Sequence, residues 1–307
     1  MKIIFLGHRD FSVSCLRKIL GMEDIEVSLV VIHTHNYCAD CMPYLQEMKE
    51  LCVTNSIPIE QHDKIREMKD KISSLSPDLM ISVGYMGILP KEIFSIPKKG
   101  TINLHAGLLP KYRGRGPITW ALINDEKEIG VTVHFIDEGI DSGDIIYQDK
   151  IQITDEDNAK TLYEKATKKS PDILIRALNL LKDKDFKATP QDPQNVIYYP
   201  NIPPELGEIN WASSSREIFN KIRALTRPYP GAYTYFKGKK IYIWKSSIAN
   251  RPKFKGHPGH ILEISDNGVL VKTGDSIIVI DQIQFEDTEE VIPAKKIIGK
   301  KGEVLGR

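Results

Sequence analysis

The chain has 307 residues, which is long enough for two domains with a substantial core. Hydrophobic residues make up 41% and charged residues 27%, as in an ordinary globular protein, and the net charge of +1 favours no class of partner. Four cysteines are too few for a disulfide framework. The opening MKIIFLG is a short apolar run followed by the charged HRD, so it fits neither a signal peptide nor a membrane span. We therefore expect a cytoplasmic protein that does not bind membranes.

The first two-thirds of the chain alternate between strand patterns and helix patterns. Strands are predicted at 2–6, 27–32, 57–59, 79–83, 101–105, 130–136 and 145–153. Helices are predicted at 10–20, 44–55, 64–74, 117–124 and 158–181, with a short one opening at Pro90 and a kink or break at Pro171. This alternation predicts an α/β domain with a doubly wound, mostly parallel, Rossmann-like sheet.

The pattern changes after residue 186. Five prolines between 190 and 204 indicate a linker, predicted at 187–205. Beyond it the sequence predicts one helix at 214–225 and five short strands at 232–236, 239–244, 259–264, 268–272 and 276–284, typical of a small OB-like β-barrel. The expected organisation is a catalytic domain at 1–186, the linker, and the barrel at 206–307. From residue 206 onward, 17 Lys and Arg stand against 11 Asp and Glu.

Two segments carry the chemistry, TINLHAGLLPKYRGRG at 101–116 and DEGIDSGDII at 137–146. They supply the amide of Asn103, the imidazole of His105 and the carboxylate of Asp141. An amide N–H can hold an oxyanion, an imidazole can move a proton near neutral pH, and a carboxylate can orient that imidazole. His105 ends a predicted strand and Asp141 follows another, so we expect them to meet at the carboxyl edge of the sheet. Each residue alone fits a strand end or an ordinary turn, whereas the set favours catalysis at a carbonyl carbon.

A longer segment, NLHAGLLPKYRGRGPITWALINDEKEIGVTVHFIDEGIDSGDII, closely resembles the 10-formyltetrahydrofolate-dependent formyltransferase family. Two further segments are similar to the same family, LSPDLMISVGYMGILPKEIFSIPKKG before it and IRALTRPYPGAYTYFKGKKIYIW after it. The resemblance covers most of the chain. It implies 10-formyltetrahydrofolate as formyl donor and an amine as acceptor, with no metal in the reaction.

The resemblance also implies residue roles. Asn103 would donate to the formyl oxygen, His105 would carry the proton between the attacking amine and the leaving folate nitrogen, and Asp141 would hold His105 in its working tautomer. The implied folate-binding residues are Gly87, Ile88, Leu89, Arg115, Asp137, Glu138, Gly139 and Ile140. The implied acceptor-binding residues are Asp10, Leu108, Leu109 and Pro110.

The sequence does not decide which amine accepts the formyl group. Family members that act on methionyl-tRNA usually carry a basic segment after the second strand, where this chain has HTHNYCADCMPYLQEMK, and commonly have a small residue in place of Arg115. Arg115 is instead shared with an amino-sugar enzyme of the family, where it could pair with a carboxylate or a phosphate. We therefore favour an amino sugar linked to a nucleotide, with methionyl-tRNA as the alternative because of the basic C-terminal third. A catalytically silent nucleotide- or RNA-binding module is a further alternative. A homo-oligomer is compatible with each.

Other candidate features are set aside. His33, His35, Cys38 and Cys41 have a spacing that zinc accepts, but the resemblance supports no metal. Gly7 lacks the further glycines of a dinucleotide-binding turn. We expect Asp10 to cap the first helix, in addition to any role at the acceptor. His134 is treated as structural, and Trp211 and Trp244 are expected to anchor the core of the C-terminal domain.

Overall fold

The computed structural model describes residues 1–33, 42–249, 256–296 and 301–306. The contacts divide the chain into two compact units. The first unit comprises Met1–Pro117, Ile129–Ile151 and Glu164–Tyr199, and the second comprises Ile118–Glu128, Gln152–Tyr163 and Pro200–Arg307. Within the described residues, no helix is both long enough and apolar enough to cross a membrane.

Strands and helices are numbered in chain order. The strands are β1 (Lys2–Gly7), β2 (Glu26–Ile32), β3 (Ile59–Gln61), β4 (Leu79–Val83), β5 (Thr101–His105), β6 (Arg113–Gly114), β7 (Glu128–Phe135), β8 (Ile145–Gln152), β9 (Tyr198–Tyr199), β10 (Ala232–Phe236), β11 (Lys239–Ile248), β12 (Ile261–Ser265), β13 (Gly268–Lys272), β14 (Ile277–Phe285) and β15 (Ile292–Pro293). The helices are α1 (Asp10–Ile19), α2 (Met42–Thr54), α3 (Lys69–Ser74), α4 (Lys91–Phe94), α5 (Pro117–Ile123), α6 (Ala159–Leu180) and α7 (Ser215–Ala224).

A seven-stranded sheet forms the centre of the first unit, in the order β3-β2-β1-β4-β5-β7-β8. Its central strands β1 and β4 are mostly apolar and almost wholly buried, as expected for parallel strands covered by helices on both faces. The prediction of a mostly parallel α/β sheet is confirmed from β3 to β5. Strand β7 differs, since it pairs with β5 in the antiparallel direction. Its carboxyl end therefore lies beside the amino end of β5, where the N–H of Ile136 donates to the carbonyl of Thr101 at 2.8 Å.

Helix α6 runs unbroken through Pro171, where the sequence predicted a kink or a break. Proline removes one backbone donor from a helix interior. The helix buries apolar side chains on both sides of this point, Leu162 before it and Leu174 and Leu178 after it. We attribute the continuity of the helix to this burial, because each such side chain contributes about 1.5–3 kcal/mol when removed from water.

The second unit contains an antiparallel sheet in the order β10-β11-β14-β13-β12, with β15 paired to β14. One apolar core lies against it, and it includes Trp211, Ile218 and Ile243. Helix α7 opens with a capping box, in which Ser214 and Glu217 satisfy each other's backbone N–H groups. The pairings among the described strands leave this sheet in an open order, so barrel closure stays a prediction. Trp244 is half-buried and its indole N–H donates to Gln284 at 2.8 Å, so its prediction as a core anchor is wrong.

Candidate active site

The face of the sheet where β5 meets β7 carries a row of polar side chains. Asn103 lies opposite His134 in the register, and His105 lies opposite Thr132. Residues opposite each other in an antiparallel pair project to the same face, so these four side chains are neighbours. Asn103 Nδ2 is 3.3 Å from His134 Nε2. The site therefore forms on the sheet face, and not simply at a shared carboxyl edge as the sequence predicted.

Asp141 reaches this face from the loop that follows β7. Its φ of 50° lies in the left-handed region, which aspartate tolerates better than most residues. One carboxylate oxygen accepts the N–H of Gly114 at 2.9 Å, and the other lies 3.5 Å from both Asn103 Nδ2 and His134 Nε2. Burial alone would raise the pKa of this carboxyl. The charge of His105, the hydrogen bond and charge of His134 and the Gly114 N–H together outweigh burial and lower the pKa, so Asp141 is an anion at neutral pH.

Both ring nitrogens of His105 face groups that accept hydrogen bonds. Nε2 is 2.6 Å from the carbonyl oxygen of Tyr112, and a carbonyl only accepts, so Nε2 carries a proton. Nδ1 lies 3.6 Å from Asp141 Oδ2. This distance is too long for a direct hydrogen bond and short enough for an ion pair. Two acceptors around one imidazole suit the doubly protonated, cationic ring.

His134 belongs to the same site, although the sequence treated it as structural. Its Nδ1 is 2.7 Å from the carbonyl of Phe135 and must donate there, while Nε2 lies 3.3 Å from Asn103 Nδ2 and 3.5 Å from Asp141 Oδ1. The signal was the alternation of Thr132 and His134 with apolar Val131 and Val133. Only the antiparallel register with β5 turns that alternation into a neighbour for Asn103.

A small hydrogen-bond network holds the loop that follows His105. The hydroxyl of Thr132 donates to the carbonyl of Gly107 at 2.7 Å. Gln148 Nε2 in turn donates to that hydroxyl at 2.7 Å and to the carbonyl of Leu109 at 3.0 Å. This loop carries the acceptor candidates Leu108, Leu109 and Pro110, and these hydrogen bonds fix its backbone.

The folate-binding candidates occupy two loops. Ile88 lines a cavity of about 410 Å³ together with residues 63–67, Gly87 and Pro90, and is 86% exposed, whereas Leu89 is buried. Ile140 is 58% exposed. The Asp137 carboxylate ties its own loop by accepting the N–H of Gly139 at 3.0 Å and the hydroxyl of Ser142 at 2.5 Å. An ion pair of 2.5 Å between Lys91 and Glu138 joins the two regions.

The remaining candidates have varied positions. Arg115 is exposed, and its backbone N–H donates to the carbonyl of Tyr199 at 2.9 Å. Asp10 is the first residue of α1, and Arg9 occupies the capping position without a side-chain cap, so the prediction of Asp10 as the cap is wrong. Of the zinc candidates, His33 lies 3.3 Å from Asp63, and His35, Cys38 and Cys41 lie outside the described residues. Within the described part of the chain, no group of three potential ligands is arranged to hold a metal.

Two family models match the chain. Residues 1–178 match the model described as "Formyl transferase", and residues 201–300 match "Formyl transferase, C-terminal domain".

Several known proteins are similar to this chain over nearly its whole length. The methionyl-tRNA formyltransferase of Acetivibrio thermocellus is 34% identical, with 100% of both chains covered. That of Thermodesulfovibrio yellowstonii is 38% identical, covering 97% of this chain and 96% of its own. Among solved structures, the sugar 3N-formyltransferase WlaRD, determined in the presence of dTDP and 5-N-formyl-THF, is 25% identical with a TM-score of 0.69. It covers 94% of this chain and 98% of its own.

Proposed function

Because the chain belongs to the 10-formyltetrahydrofolate-dependent formyltransferases, we propose that it transfers the formyl group to the amino group of methionyl-tRNA. The reaction class and the donor come with the family. The acceptor rests on the likeness to methionyl-tRNA formyltransferases along the full chain, including the C-terminal domain. This likeness favours the alternative that the sequence ranked second to an amino-sugar nucleotide.

In the proposed reaction, the acceptor amine attacks the formyl carbon and a C–N bond forms, leaving an oxyanion and an ammonium. Asn103 Nδ2 donates to that oxyanion, since its contacts to His134 and Asp141, at 3.3 and 3.5 Å, are long and leave it able to reorient. The bond to the folate N10 then breaks and the carbonyl re-forms. No covalent bond to the enzyme is needed, because a neutral amine is already a competent nucleophile.

His105 transfers the proton, and Asp141 stabilises the cationic form of His105. The cationic imidazole donates to N10 as that nitrogen leaves, and it regains a proton from the new ammonium, so the exchange balances. Nδ1 is the ring nitrogen available for this exchange, because it lies 3.6 Å from Asp141 Oδ2 without a direct hydrogen bond, whereas Nε2 is bonded to the carbonyl of Tyr112 at 2.6 Å. Asp141 is suited to its part because its lowered pKa keeps it anionic beside the cation throughout.

The folate donor fits the two loops with exposed isoleucines. Ile88 lines the cavity and is 86% exposed, and Ile140 is 58% exposed in the second loop. The flat pteridine ring of the donor would remove both apolar side chains from water. We propose that these side chains hold the donor while backbone groups near Gly87 and Leu89 select it.

The second unit offers a surface suited to RNA. Strand alternation on β10 and β11 turns Tyr233, Tyr235, Tyr242 and Trp244 away from the core, and we call these four residues the aromatic strip. Lys240 Nζ lies 4.4 Å from the Tyr233 ring and 5.0 Å from the Tyr242 ring.

Arg227 lies 5.0 Å above Trp244 on the same strip. Aromatic rings interleaved with cations stack on bases and neutralise phosphates. The contact between Arg227 and Trp244 could not be predicted from the sequence, because the two residues are far apart along the chain.

Arg115 favours a second candidate acceptor, an amino sugar linked to a nucleotide. Its side chain is exposed in the loop whose Gly114 N–H binds Asp141. A guanidinium at this position can pair with a phosphate in bidentate fashion. The likeness to WlaRD agrees with this candidate in fold.

A direct comparison of acceptors tests the proposal. The protein is supplied with 10-formyltetrahydrofolate and offered methionyl-tRNA or a panel of UDP- and dTDP-linked amino sugars, with His105→Ala as the inactive control. We expect saturable formylation of methionyl-tRNA. Formylation of a sugar nucleotide alone would overturn the tRNA proposal in favour of the second candidate, and no transfer to either would refute both.

Charge variants on the aromatic strip sharpen the comparison. The double variant Arg227→Ala/Lys240→Ala should raise the KM for methionyl-tRNA about 10-fold or more and flatten its salt dependence. Lys245→Ala is the matched control, because Lys245 lies on the same strand β11 and is ion-paired with Asp281 at 2.9 Å, just as Lys240 is ion-paired with Glu286 at 2.9 Å. Equal effects of both variants would argue against the strip as the RNA surface.

A further inference from the structure

Residues 187–199, which the sequence assigned to a linker, lie against the catalytic loops of the first unit. Thr189 and Ile145 exchange two backbone hydrogen bonds of 2.8 Å. Ten residues later, β9 pairs with β6, so that Tyr198 and Tyr199 lie alongside Arg113 and Gly114. We call residues 187–199 the strap.

Gln191 is the strap residue that contacts the Asp141 loop. Its Nε2 donates to the carbonyl of Asp141 and to the carbonyl of Gly143, each at 2.8 Å. One side-chain amide therefore uses both its hydrogens on the loop that carries the catalytic carboxylate. The residue it holds, Asp141, has a φ of 50°, in the left-handed region that few residues other than glycine adopt, and the two hydrogen bonds stabilise the loop in that conformation.

Arg113 orients the Gln191 amide. Its Nε donates to Gln191 Oε1 at 3.0 Å, which leaves only the nitrogen of the amide to face the loop. Arg113 is buried, although it is charged, and it also donates to the hydroxyl of Tyr198 at 3.4 Å. That hydroxyl donates in turn to the carbonyl of Ile140 at 3.3 Å. The loop residues 140, 141 and 143 are thus all bound by one network.

The strap also helps to position the carboxylate of Asp141, through its pairing with Gly114. Gly114, which follows Arg113, donates its N–H to Asp141 Oδ2, and its φ of 94° is open to glycine alone. Pairing with β9 holds Gly114 so closely that an added Cβ would collide with the carbonyl of Tyr199. The backbone of Asp141 and its carboxylate are therefore both fixed through contacts with the strap.

We propose that Gln191 is a positioning residue for formyl transfer, which sets the place of the Asp141 carboxylate beside His105 through its clamp on the loop backbone. This inference rests on the proposed role of Asp141. Gln191 does not touch the reacting atoms, and its effect should pass through Asp141. A displacement of about 1 Å in a catalytic group can cost 10²-fold in rate.

Kinetics of two Gln191 variants test the clamp. Gln191→Ala removes the amide, and Gln191→Glu keeps its shape and its bond to Arg113 but loses both donors. Each should lower kcat about 10–100-fold while the KM for the folate donor changes less than about 3-fold. Gln194→Ala, an exposed glutamine of the strap, is the matched control and should retain the wild-type kcat. A kcat within about 2-fold of wild type for Gln191→Glu would overturn the proposal.

A double-mutant cycle separates positioning from general damage. In an Asp141→Asn background, Gln191→Ala should cost less than about 2-fold, because the group it positions is already removed. An undiminished cost there would show that Gln191 acts otherwise. If Asp141→Asn itself leaves the rate unchanged, the proposed function fails first, and that result is distinct from a failure of the clamp.

Nitrogen NMR of the histidine rings provides a readout that needs no acceptor. The ring signals of His105 and His134 should shift in both Gln191 variants and stay in place in Gln194→Ala. Unshifted signals in folded Gln191→Glu protein would refute the clamp, whatever the acceptor proves to be.

Discussion

Asn103 and His134 lie opposite each other on β5 and β7, and Asn103 Nδ2 lies 3.3 Å from His134 Nε2. The other ring nitrogen of His134 donates to the carbonyl of Phe135 at 2.7 Å, which holds the ring beside the amide. Asn103 Nδ2 also lies 3.5 Å from the Asp141 carboxylate. In the proposed mechanism the amide nitrogen turns from these two long contacts to the formyl oxygen, where it donates to the oxyanion.

Removing that donor should slow the chemical step. We expect Asn103→Ala to lower kcat by roughly 10²–10³, because the amide acts mainly on the charge that develops in the transition state. The KM for each substrate should change much less. Steady-state kinetics with saturating donor check this, and a rate within a few-fold of wild type would contradict the assigned role.

His134 should matter through Asn103. We expect His134→Ala to reduce kcat by about 10-fold or more, since the amide loses the partner that orients it. His257→Ala is the control, because His257 is exposed on the second unit. Equal rates for wild type and His134→Ala would place the orienting role elsewhere.

The donor site should respond to its exposed isoleucines. Ile88→Ser and Ile140→Ser each remove an apolar contact, and we expect each to raise the KM for 10-formyltetrahydrofolate about 5–30-fold with a smaller change in kcat. Val53→Ser is a matched control, because Val53 is 75% exposed on α2. A uniform effect of all three would mean that the change reflects general surface damage.

His8 should make the first unit less stable in acid. Burial, then the charges of Arg9 and His33, lower the pKa of His8 from 6.5 to about 4. Between these pH values the unfolded chain binds a proton that the folded chain does not, so the free energy of unfolding falls as pH drops from 6.5 to 4. The loss is at most about 3.5 kcal/mol, at about 1.4 kcal/mol per pKa unit.

Denaturant titrations at pH 7, 5.5 and 4 measure that loss. His8→Gln should flatten the dependence, and His257→Ala should retain it. A wild-type stability that stays constant from pH 7 to pH 4 would contradict the lowered pKa.

A buried hydrogen bond in the second unit offers a test of stability. The indole N–H of Trp211 donates to the hydroxyl of Thr234 at 3.0 Å, and both side chains are buried. Thr234→Val leaves the indole N–H without this acceptor and should lower the free energy of unfolding by about 1–3 kcal/mol. The double variant Trp211→Phe/Thr234→Val should recover part of that loss, because no polar group is then stranded. Greater loss in the double variant would assign the effect to packing.

Much of the fold could be predicted from local pattern. The bounds of β4 and β5 agree with their predicted ranges, since proline or glycine flanks each strand, Pro77 and Gly84 for β4 and Gly100 and Gly107 for β5. The direction of β7 could not be predicted, because the same alternation fits a parallel or an antiparallel partner. The hydrogen-bond network around Gln191 could not be predicted from the sequence either. A proline-rich segment indicates a break in regular structure, but it does not show which residues that segment packs against.

Sequence alone determined the reaction class and the identity of three polar side chains, Asn103, His105 and Asp141, because a motif is a local property of the chain. Tertiary structure decided their arrangement: it paired β7 with β5 so that His134 joined them, and it brought Gln191 to the Asp141 loop from 50 residues away. The physical reason is that each backbone and side-chain group can hydrogen-bond to several partners. Which partner it binds, and so the direction of a strand, is decided only when the whole unit packs.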